Sequence, residues 1–543
     1  MIKKYIQNIG INIFFLVLSV YYELTFILGN KPWAFYADLR GDQLFHITRL
    51  YGLKHILTNP VAFNTYYGEG NGVNFFYPWV TFYPARILSN LLNSEFKGMM
   101  AFLLLTTYLT FVLSYYSCRR YLRWRTKKSI IFSFLWTFGT YRGVDFFNRT
   151  DIGELLALIC IPPLVMSFID LIKRKNYSNW IVLALSMSWI ILSHVLSALI
   201  MVAILTGLLI INIHNVKDIR LWVSLIKSVV ITCLLTMLYW LPMLQQMRYI
   251  PISRPFIAIL EDWAISNNDL IANSLNSNYL QPNVGIVIIF TILTGIINFK
   301  GMSNRNKKLL VISSGLIWLC TKTFPWMIFQ NTVINYIQFP WRLMLVASFF
   351  AYLLSTELIE KIDIKYIVML IVFVLVSNYS FVLSLPKNNV TLLNNNEKLE
   401  KISSKHFNND YYPKASVKHT QSIGDKKFDI NDKNAKVIGY SNTDTEFKFT
   451  LINNSKKRIE VDVPILYYLG IEVKNNGEVI SPNISSRGTV KLNLSNRRNN
   501  VVISSRYTKL AKLSQYISLG TLLFLILILI YKNITYRKLA KVL

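Results

Sequence analysis

Apolar runs about as long as a bilayer is thick recur along most of this chain of 543 residues. A transmembrane helix needs roughly 17–25 mainly apolar residues, whereas a soluble protein of this size carries much more polar surface. Hydrophobic residues make up 53% of the sequence, and the mean hydropathy is +0.37. The sequence therefore predicts a mainly α-helical, polytopic protein that lies in the lipid bilayer.

Twelve segments of the sequence are candidate spans. The first follows Lys3 and Lys4 and lacks a small-x-small cleavage site, so we expect a retained signal anchor. The candidate spans are 11–29, 99–117, 129–143, 153–172, 180–195, 197–213, 221–243, 284–299, 309–321, 341–358, 364–385 and 514–531. The pair at 180–213 could also form one bent hairpin.

The basic residues lie in short blocks between the apolar runs. With the N-terminus inside, the blocks at 119–128, 173–175, 300–308 and 532–541 all fall on the cytoplasmic side. The positive-inside rule then predicts an even number of spans and two cytoplasmic termini. This distribution explains the net charge of +30 and argues against nucleic acid as a partner. The many Asn, Ile and Lys residues are typical of an AT-rich bacterial genome, so we expect the plasma membrane of a bacterium.

Residues 386–512 differ from the rest in being rich in Asn, Lys and Ser. Runs of alternating polarity at 446–452, 458–466 and 488–494, and an Asn-Asn-Gly turn at 475–477, predict antiparallel strands. We expect a small extracytoplasmic β-sandwich here. The predicted domains are a transmembrane domain at 1–385 with a long outer loop at 30–97, the β-domain at 386–512, and a last span with its cytoplasmic tail at 513–543.

Polar stretches from distant parts of the sequence reach one face of the membrane in this topology. They are DLRGDQLFHITRL (38–50), GEGNGVNFFYPWVTFYP (68–84), DFFNRTDIGE (145–154), His194 in LSHVLSA, and QFPWR (338–342). Their convergence on the outer face predicts a functional site there.

The first stretch offers two acids. Asp42 fits a general base, with His46 and Arg49 on the same helical face at i+4 and i+7. The alternative is that Asp42 only caps the amphipathic helix that follows it. Asp38 is the second candidate for the base, and Gly41 lets the backbone turn between the two acids.

The second stretch contains Glu69 between glycines. Such a loop brings backbone close to a ligand, but it is also an ordinary flexible turn. The aromatic residues that follow could stack on a sugar or anchor the chain at the membrane interface.

The third stretch places Asp151 and Glu154 on one helical face. Asp151 could instead be the N-cap of the fourth span, and Glu154 could form a structural ion pair with Arg149. An ionisable group at the edge of an apolar helix is costly to bury, which favours a function.

Two further residues complete the predicted site. His194 could face the site or be a buried, hydrogen-bonded core histidine. Arg342 could bind the phosphate of a lipid-linked substrate through bidentate hydrogen bonds, or extend to the lipid headgroups. We expect the lipid phosphate to dock near Arg342 and Arg149.

The chain resembles two groups of bacterial multi-spanning proteins, those labelled 6-pyruvoyl-tetrahydropterin synthase-related membrane proteins and the YfhO-like membrane proteins. Both resemble the GT-C class of glycosyltransferases. The similarity is carried by DQLFHITRL (42–50), GEGNGVNFFYP (68–78), RTDIGELLALICIPP (149–163), QFPWR (338–342) and YYLGIEVKNNGE (467–478).

The resemblance implies a GT-C-like fold and an inverting glycosyltransferase. Such an enzyme takes its sugar from a polyprenyl-phosphate donor and passes it to a cell-envelope glycopolymer or glycolipid. Asp42 is then the catalytic base and Asp38 its alternative. The Asp-x-Asp or Glu-x-Asp spacing of the class is absent, which leaves the base and a divalent cation open. No metal ligand or other cofactor is assigned, because the six histidines form no zinc-binding pattern.

Two other functional classes remain open. A lipid-linked saccharide flippase or transporter would share the spans and the outer arginines, but internal repeats and paired broken helices are not evident. A non-catalytic scaffold for wall-polymer assembly would keep the architecture without the chemistry.

Overall fold

The computed structural model describes residues 2–28, 36–37, 42–384, 391–392, 396–405, 409–455 and 457–542. The chain forms two compact units. The first unit contains residues 1–43, 87–228 and 256–395, and the second contains residues 44–86, 229–255 and 396–543. Each unit therefore combines segments that are far apart in the sequence.

Helices account for most of the described chain. They are α1 (Ile2–Leu28), α2 (Asp42–Gly52), α3 (Val73–Phe76), α4 (Tyr83–Leu91), α5 (Glu95–Ser117), α6 (Thr126–Thr137), α7 (Thr140–Gly143), α8 (Ile152–Arg174), α9 (Trp180–Ile191), α10 (Val195–Ile211), α11 (Ile219–Tyr249), α12 (Leu260–Trp263), α13 (Asn267–Leu275), α14 (Ile286–Ile297), α15 (Asn304–Leu319), α16 (Met344–Ile359), α17 (Ile364–Ser384), α18 (Asn396–Ser404), α19 (Thr420–Gly424) and α20 (Lys509–Val542).

Seven helical segments of the described chain are long and apolar enough to cross a membrane, so the protein is a multi-pass membrane protein. They are Ile6–Thr25, Glu95–Leu122, Ile152–Arg174, Ile219–Tyr249, Pro340–Ile359, Ile364–Phe381 and Lys509–Lys532. The predicted number of twelve spans is not confirmed. Three of the other five predicted spans coincide with the shorter apolar helices α9, α10 and α14, and the remaining two coincide with α6–α7 and α15. At about 1.5 Å per residue, a helix of 12 residues such as α14 is too short for a hydrocarbon core about 30 Å thick.

The first unit is built around α8, which is buried along almost its whole length. Helices α5, α9 and α10 pack against α8, while α16 packs against α6, α14 and α15. Side-chain caps define where several of these helices begin. Ser94 accepts a hydrogen bond from the backbone N–H of Lys97 at the start of α5, and Asp151 accepts one from that of Glu154 at the start of α8.

The second unit contains two antiparallel sheets. One has the strand order β3-β6-β10-β9 and the other has the order β4-β5-β11-β7-β8, while β1 and β2 form a separate small pair in the first unit. The strands are β1 (Tyr36–Ala37), β2 (Thr391–Leu392), β3 (Asp429–Ile430), β4 (Ala435–Asn442), β5 (Glu446–Asn453), β6 (Ile459–Leu466), β7 (Ile471–Asn475), β8 (Glu478–Ile480), β9 (Asn483–Ile484), β10 (Thr489–Leu494) and β11 (Arg498–Ser505). Both sheets contribute to one hydrophobic core, so they form a sandwich.

The predicted turn at Asn-Asn-Gly connects β7 and β8. Asn475 pairs with Glu478, and the two residues between them have left-handed backbones, with φ of 51° at Asn476 and 91° at Gly477. Two successive positive φ values match the twist of a tight hairpin, and asparagine and glycine adopt them at the lowest cost.

Candidate active site

The charged side chains of this site come from the start of α2, from a π-helical turn and from the start of α8. A π-helical turn, Val144–Arg149, is followed by Thr150, whose φ of 50° is left-handed, and then by the N-cap residue Asp151. A β-branched residue rarely adopts positive φ, so Thr150 is a point of backbone strain. The reversal at Thr150 turns the chain directly from the π-helical turn into α8.

Arg149 is the centre of the resulting ion-pair network. Its guanidinium nitrogens lie 2.7 Å from Asp145, 2.7 Å from Asp151, 3.2 Å from Glu154 and 3.3 Å from Asp42. These five residues, called the Arg149 cluster below, all belong to the first unit. The predicted pair between Arg149 and Glu154 is thus one of four contacts, and Asp151 both caps α8 and binds the arginine.

The Arg149 cluster carries a net charge of −3 when every carboxyl is ionised, since four carboxylates face one guanidinium. Burial disfavours the charge of Arg149, but the four carboxylates outweigh burial and hold its pKa well above the ordinary value. Burial, followed by the charge of Glu154, raises the pKa of Asp145 well above its usual range. A proton on Asp145 therefore reduces the repulsion within the cluster.

Asp42 differs from the other carboxylates of the Arg149 cluster in its exposure. Its side chain is 47% exposed, whereas those of Asp145, Asp151 and Glu154 are exposed by 4% or less. Desolvation raises the pKa of the Asp42 carboxyl and Arg149 opposes the rise. Asp42 is thus the carboxylate of this cluster that an incoming molecule can reach.

Aromatic side chains hold the buried part of the Arg149 cluster in place. Tyr141 donates a hydrogen bond of 2.5 Å to Glu154 Oε1. The ring of Trp341 lies 4.8 Å from the guanidinium carbon of Arg149, a cation–π distance. The arginine is therefore held by four carboxylates and by the indole ring of Trp341.

Arg342 and His194 also belong to the first unit and act electrostatically on the cluster. Burial raises the pKa of Asp42, and the charge of Arg342 opposes this rise. Burial lowers the pKa of His194, and the charge of Asp151 opposes this fall. Arg342 donates to the Ile337 carbonyl at 3.1 Å and to Gln338 at 3.0 Å. His194 Nδ1 lies 2.8 Å from Ser197 Oγ, which fits the hydrogen-bonded alternative considered for it.

His46 and Arg49 lie in the second unit and are fully buried there. Arg49 donates to the Pro78 carbonyl at 2.7 Å, and its guanidinium carbon lies 4.2 Å from the Tyr77 ring centroid. The His46 ring meets the same tyrosine edge-on at 5.7 Å. These contacts join α2 to residues 76–78, so both side chains have structural partners within their own unit.

Glu69 also has its partners within the second unit. Tyr412 donates a hydrogen bond of 2.6 Å to Glu69 Oε2, and Lys426 donates one of 2.8 Å to the Gly68 carbonyl. Burial raises the pKa of Glu69 to about 7 and lowers that of Lys426 to about 8. A Cβ added at Gly70 would lie 3.0 Å from Ile465, so the glycine loop is in close contact with β6. The loop was expected either to bring its backbone close to a ligand or to be an ordinary flexible turn. In the structure its backbone comes close to strand β6 of the protein itself.

The aromatic residues after this loop are core residues. Phe75 and Phe76 are buried, and the Phe76 ring stacks on Tyr411 at 5.6 Å. Phe75 packs 6.2 Å from Tyr468. The expectation that they stack on a sugar or anchor the chain at the interface is wrong for these two residues, because the β-domain covers them.

The structure thus brings six of the predicted site residues into one unit: Asp42, Arg149, Asp151, Glu154, His194 and Arg342. Asp38 lies outside the described residues. Sequence reasoning missed Asp145, Tyr141 and Trp341. The i, i+4 spacing of Asp145 and Arg149 was a signal available for the first of them.

A metal site is not evident in the described part of the chain. No group of three or more His, Cys, Asp or Glu side chains there is arranged to hold a metal ion. The carboxylates of the Arg149 cluster surround a guanidinium instead.

No family model and no curated protein matches the chain. Among solved structures, it is similar to the cryo-EM structure of arabinofuranosyltransferase AftD from mycobacteria, with a TM-score of 0.41 and 14% identity over 69% of this chain. A mutant of AftD gives a TM-score of 0.41 and 13% identity. The chain spans 26% and 28% of the length of these two structures, about a quarter.

Proposed function

We propose that this protein is a GT-C-type membrane glycosyltransferase. It moves a sugar from a polyprenyl-phosphate donor to a cell-envelope acceptor outside the cell, with Asp42 as the general base. The observation that supports this most is the half-exposed Asp42 carboxylate, which is held by Arg149 in a chain with seven described helices able to span a membrane.

Asp42 is suited to remove a proton because it is both reachable and oriented. Its Oδ2 accepts a hydrogen bond of 3.3 Å from Arg149, whose side chain is only 14% exposed and is fixed by three further carboxylates. A base held in this way can meet an acceptor hydroxyl in a reproducible geometry, and positioning of this kind lowers the barrier.

The donor phosphate fits Arg342 better than Arg149. The four carboxylates around Arg149 would repel an anion, so this arginine is a poor phosphate ligand. Within the described residues Arg342 has no carboxylate partner, and its Nε has no hydrogen-bond partner. Arginine binds phosphate oxygens through two nitrogens at once.

The reaction is a single displacement. The acceptor oxygen attacks the anomeric carbon of the sugar and forms the new C–O bond, while its proton passes to Asp42. The bond between the anomeric carbon and the phosphate oxygen breaks, and polyprenyl phosphate leaves with the electron pair. Its negative charge is stabilised by Arg342, and the anomeric centre is inverted.

A transporter or flippase is the second candidate, and one observation favours it. Glu23 is buried within the span Ile6–Thr25, and neither of its carboxylate oxygens has a hydrogen-bond partner among the described residues. Arg142 lies within electrostatic range of Glu23. Ionisable residues within a membrane often mark pathways for ions or substrates.

Sugar transfer in detergent micelles separates these two functions. Purified protein is given labelled polyprenyl-phosphate sugars together with crude cell-wall acceptor, and the labelled product is measured. Micelles have no second compartment, so a transporter yields no product while an enzyme still does.

We expect transfer by the wild-type protein and by Glu23→Gln, because Glu23 has no part in the proposed chemistry. Donor flipping in liposomes that is lost in Glu23→Gln, without any transfer in micelles, would contradict the enzyme and support the transporter. If neither activity is found across varied donors and acceptors, the scaffold alternative is favoured.

A further inference from the structure

Two segments of the first unit form a small ordered body that is not part of a span. They are residues 256–265 and 320–339, called the platform below. The platform contains α12 and two 3-10 turns, Trp326–Phe329 and Val333–Ile337. Each of these elements has five residues or fewer, whereas a span needs about 20.

Hydrogen bonds join the two segments of the platform. Gln330 accepts a hydrogen bond of 2.9 Å from the Leu260 N–H and donates one of 3.0 Å to the Ala258 carbonyl. The Ile265 backbone exchanges hydrogen bonds of 3.0 and 2.9 Å with Cys320 and Lys322. The platform is therefore a defined structure rather than two independent loops.

The platform has an apolar inner face. Leu260, Ala264 and Trp326 are buried together in a hydrophobic cluster of their own. Phe324 and Phe329 pack against it, with their rings stacked at 5.6 Å. This inner face supplies the core that keeps the short elements in place.

The outer face of the platform is also apolar, and it is exposed. Large apolar side chains from both segments are uncovered there: Phe256, Ile257, Ile259, Trp263, Met327, Ile328, Val333, Ile334 and Tyr336. The most exposed of these side chains are Val333 at 78% and Ile257 and Ile328 at 71% each. So many exposed apolar side chains on two segments that are hydrogen-bonded to each other mark a contact with a partner or with a membrane.

The platform is continuous with a membrane span. Its last residue directly precedes the segment Pro340–Ile359, which is long and apolar enough to cross the bilayer. Phe339 stacks on Trp341, the first aromatic residue of that segment, with ring centroids 5.2 Å apart. Phe339 also contacts Trp263 at 4.7 Å, so aromatic side chains run from the platform into the start of the span.

We propose that the platform lies in the lipid leaflet where the span Pro340–Ile359 begins, with its outer face in contact with the lipid. An irregular backbone is not tolerated in the hydrocarbon core, so the platform lies at the headgroup level. Tryptophan and tyrosine favour this depth, as at Trp263 and Tyr336. The exposed acids Glu261 and Asp262 limit how deeply α12 can enter.

The contact of the platform with lipid is independent of the proposed sugar transfer. Phe339 lies 4.5 Å from the guanidinium carbon of Arg342, and Trp341 lies 4.8 Å from that of Arg149. The lipid contact therefore adjoins the charged site, whatever reaction takes place there.

Spin labels on the full-length protein in proteoliposomes test the proposal. Labels are placed at Ile328→Cys and, separately, at Val333→Cys, in a Cys233→Ser background, since the other three cysteines are buried. Leu527→Cys in the span Lys509–Lys532 is the lipid-exposed control, and Val479→Cys on the β-domain is the control outside the spans. The accessibility of each label to oxygen and to a water-soluble nickel chelate is measured.

We expect the labels at Ile328 and Val333 to lose accessibility to nickel and gain accessibility to oxygen relative to Val479, in the direction shown by Leu527. Labels at both platform positions that behave like Val479 would overturn the proposal. Spin–spin broadening at both positions that grows with the protein-to-lipid ratio would also overturn it, because a second copy would then cover this face.

Discussion

At the scale of single residues, the arrangement around Arg149 has a clear energetic logic. Three almost fully buried carboxylates would repel one another without a shared cation, and Arg149 supplies it. A buried ion pair contributes little net stability over apolar residues, but removing one partner leaves uncompensated buried charge. The network is therefore more informative about positioning than about stability.

Replacing Arg149 by Gln tests this logic. We expect the Arg149→Gln variant to lose roughly 3–5 kcal/mol of stability, because buried carboxylates would be left without their cation. Thermal unfolding in detergent measures the loss. The matched control is Arg220→Gln, which removes an exposed arginine from its pair with Asp218 and should change little. Equal losses in the two variants would contradict the account.

The sequence predicted part of this site for a physical reason. Asp151 and Glu154 share a helical face, and Arg149 lies only two residues before Asp151, so these three are close in the sequence. Asp42 lies 107 residues from Arg149 in the sequence, and Trp341 is further away still, so no local pattern predicts their contacts with Arg149. Asp145 was missed although its i, i+4 spacing to Arg149 was available, because both residues lie in a π-helical turn between two predicted spans.

At the scale of elements, the glycine loop around Glu69 joins an early segment to the β-domain. Tyr412 and Lys426 come from segments more than 340 residues later in the chain. No local pattern in the sequence indicates such a pairing. The strands, in contrast, were predictable, since alternation of polar and apolar residues extends over β5, β6 and β10 and the left-handed turn residues fix one hairpin.

The Glu69 carboxyl should make the stability of the protein depend on pH. Its pKa rises from 4.5 to about 7 on folding, so its contribution is fully present below pH 4.5 and is lost as pH rises through about 7. The loss amounts to at most about 3.5 kcal/mol at about 1.4 kcal/mol per pKa unit. The pKa of Lys426 is lowered to about 8 on folding. The contribution of Lys426 to stability therefore changes at a higher pH than that of Glu69.

Thermal unfolding between about pH 4.5 and about pH 7.5 measures this dependence. We expect the melting temperature of Glu69→Gln to vary less with pH than that of the wild type. Glu478→Gln, which alters an exposed carboxyl on β8, is the control and should follow the wild type. A Glu69→Gln profile that parallels the wild type would show that Glu69 is not the titrating group.

The β7–β8 hairpin gives a second test at this scale. Gly477 has a φ of 91°, so Gly477→Ala should cost about 1 kcal/mol or more of stability. The matched control is Gly439→Ala on β4, where an added Cβ meets open space and the backbone is not left-handed. Denaturant unfolding compares the two variants, and an equal effect on both would contradict the assigned turn.

At the scale of the whole molecule, the central prediction is the orientation in the membrane. Basic blocks between the spans predict cytoplasmic termini and an external β-domain. The number of spans cannot be predicted from apolar runs alone. Helices such as α9 and α14 are apolar but too short for the full thickness of the hydrocarbon core.

Cysteine labelling of intact cells with a membrane-impermeant maleimide tests the orientation. In a Cys233→Ser background, Val479→Cys on the β-domain should react from outside. Lys308→Cys in the basic block at 300–308 should react only after the cells are permeabilised. The reverse pattern, or labelling of both from outside, would contradict the predicted topology.

The most direct test of the proposed function is the rate of sugar transfer by Asp42→Asn. The assay is the one in micelles, with Asp38→Asn as a comparison and Asp363→Asn, an exposed acid in the turn before α17, as the control. Unchanged thermal unfolding verifies that each variant is folded. We expect Asp42→Asn alone to lose transfer by about 10²–10⁴-fold, since the carboxylate is the proposed base. Transfer by folded Asp42→Asn at the wild-type rate would contradict the account.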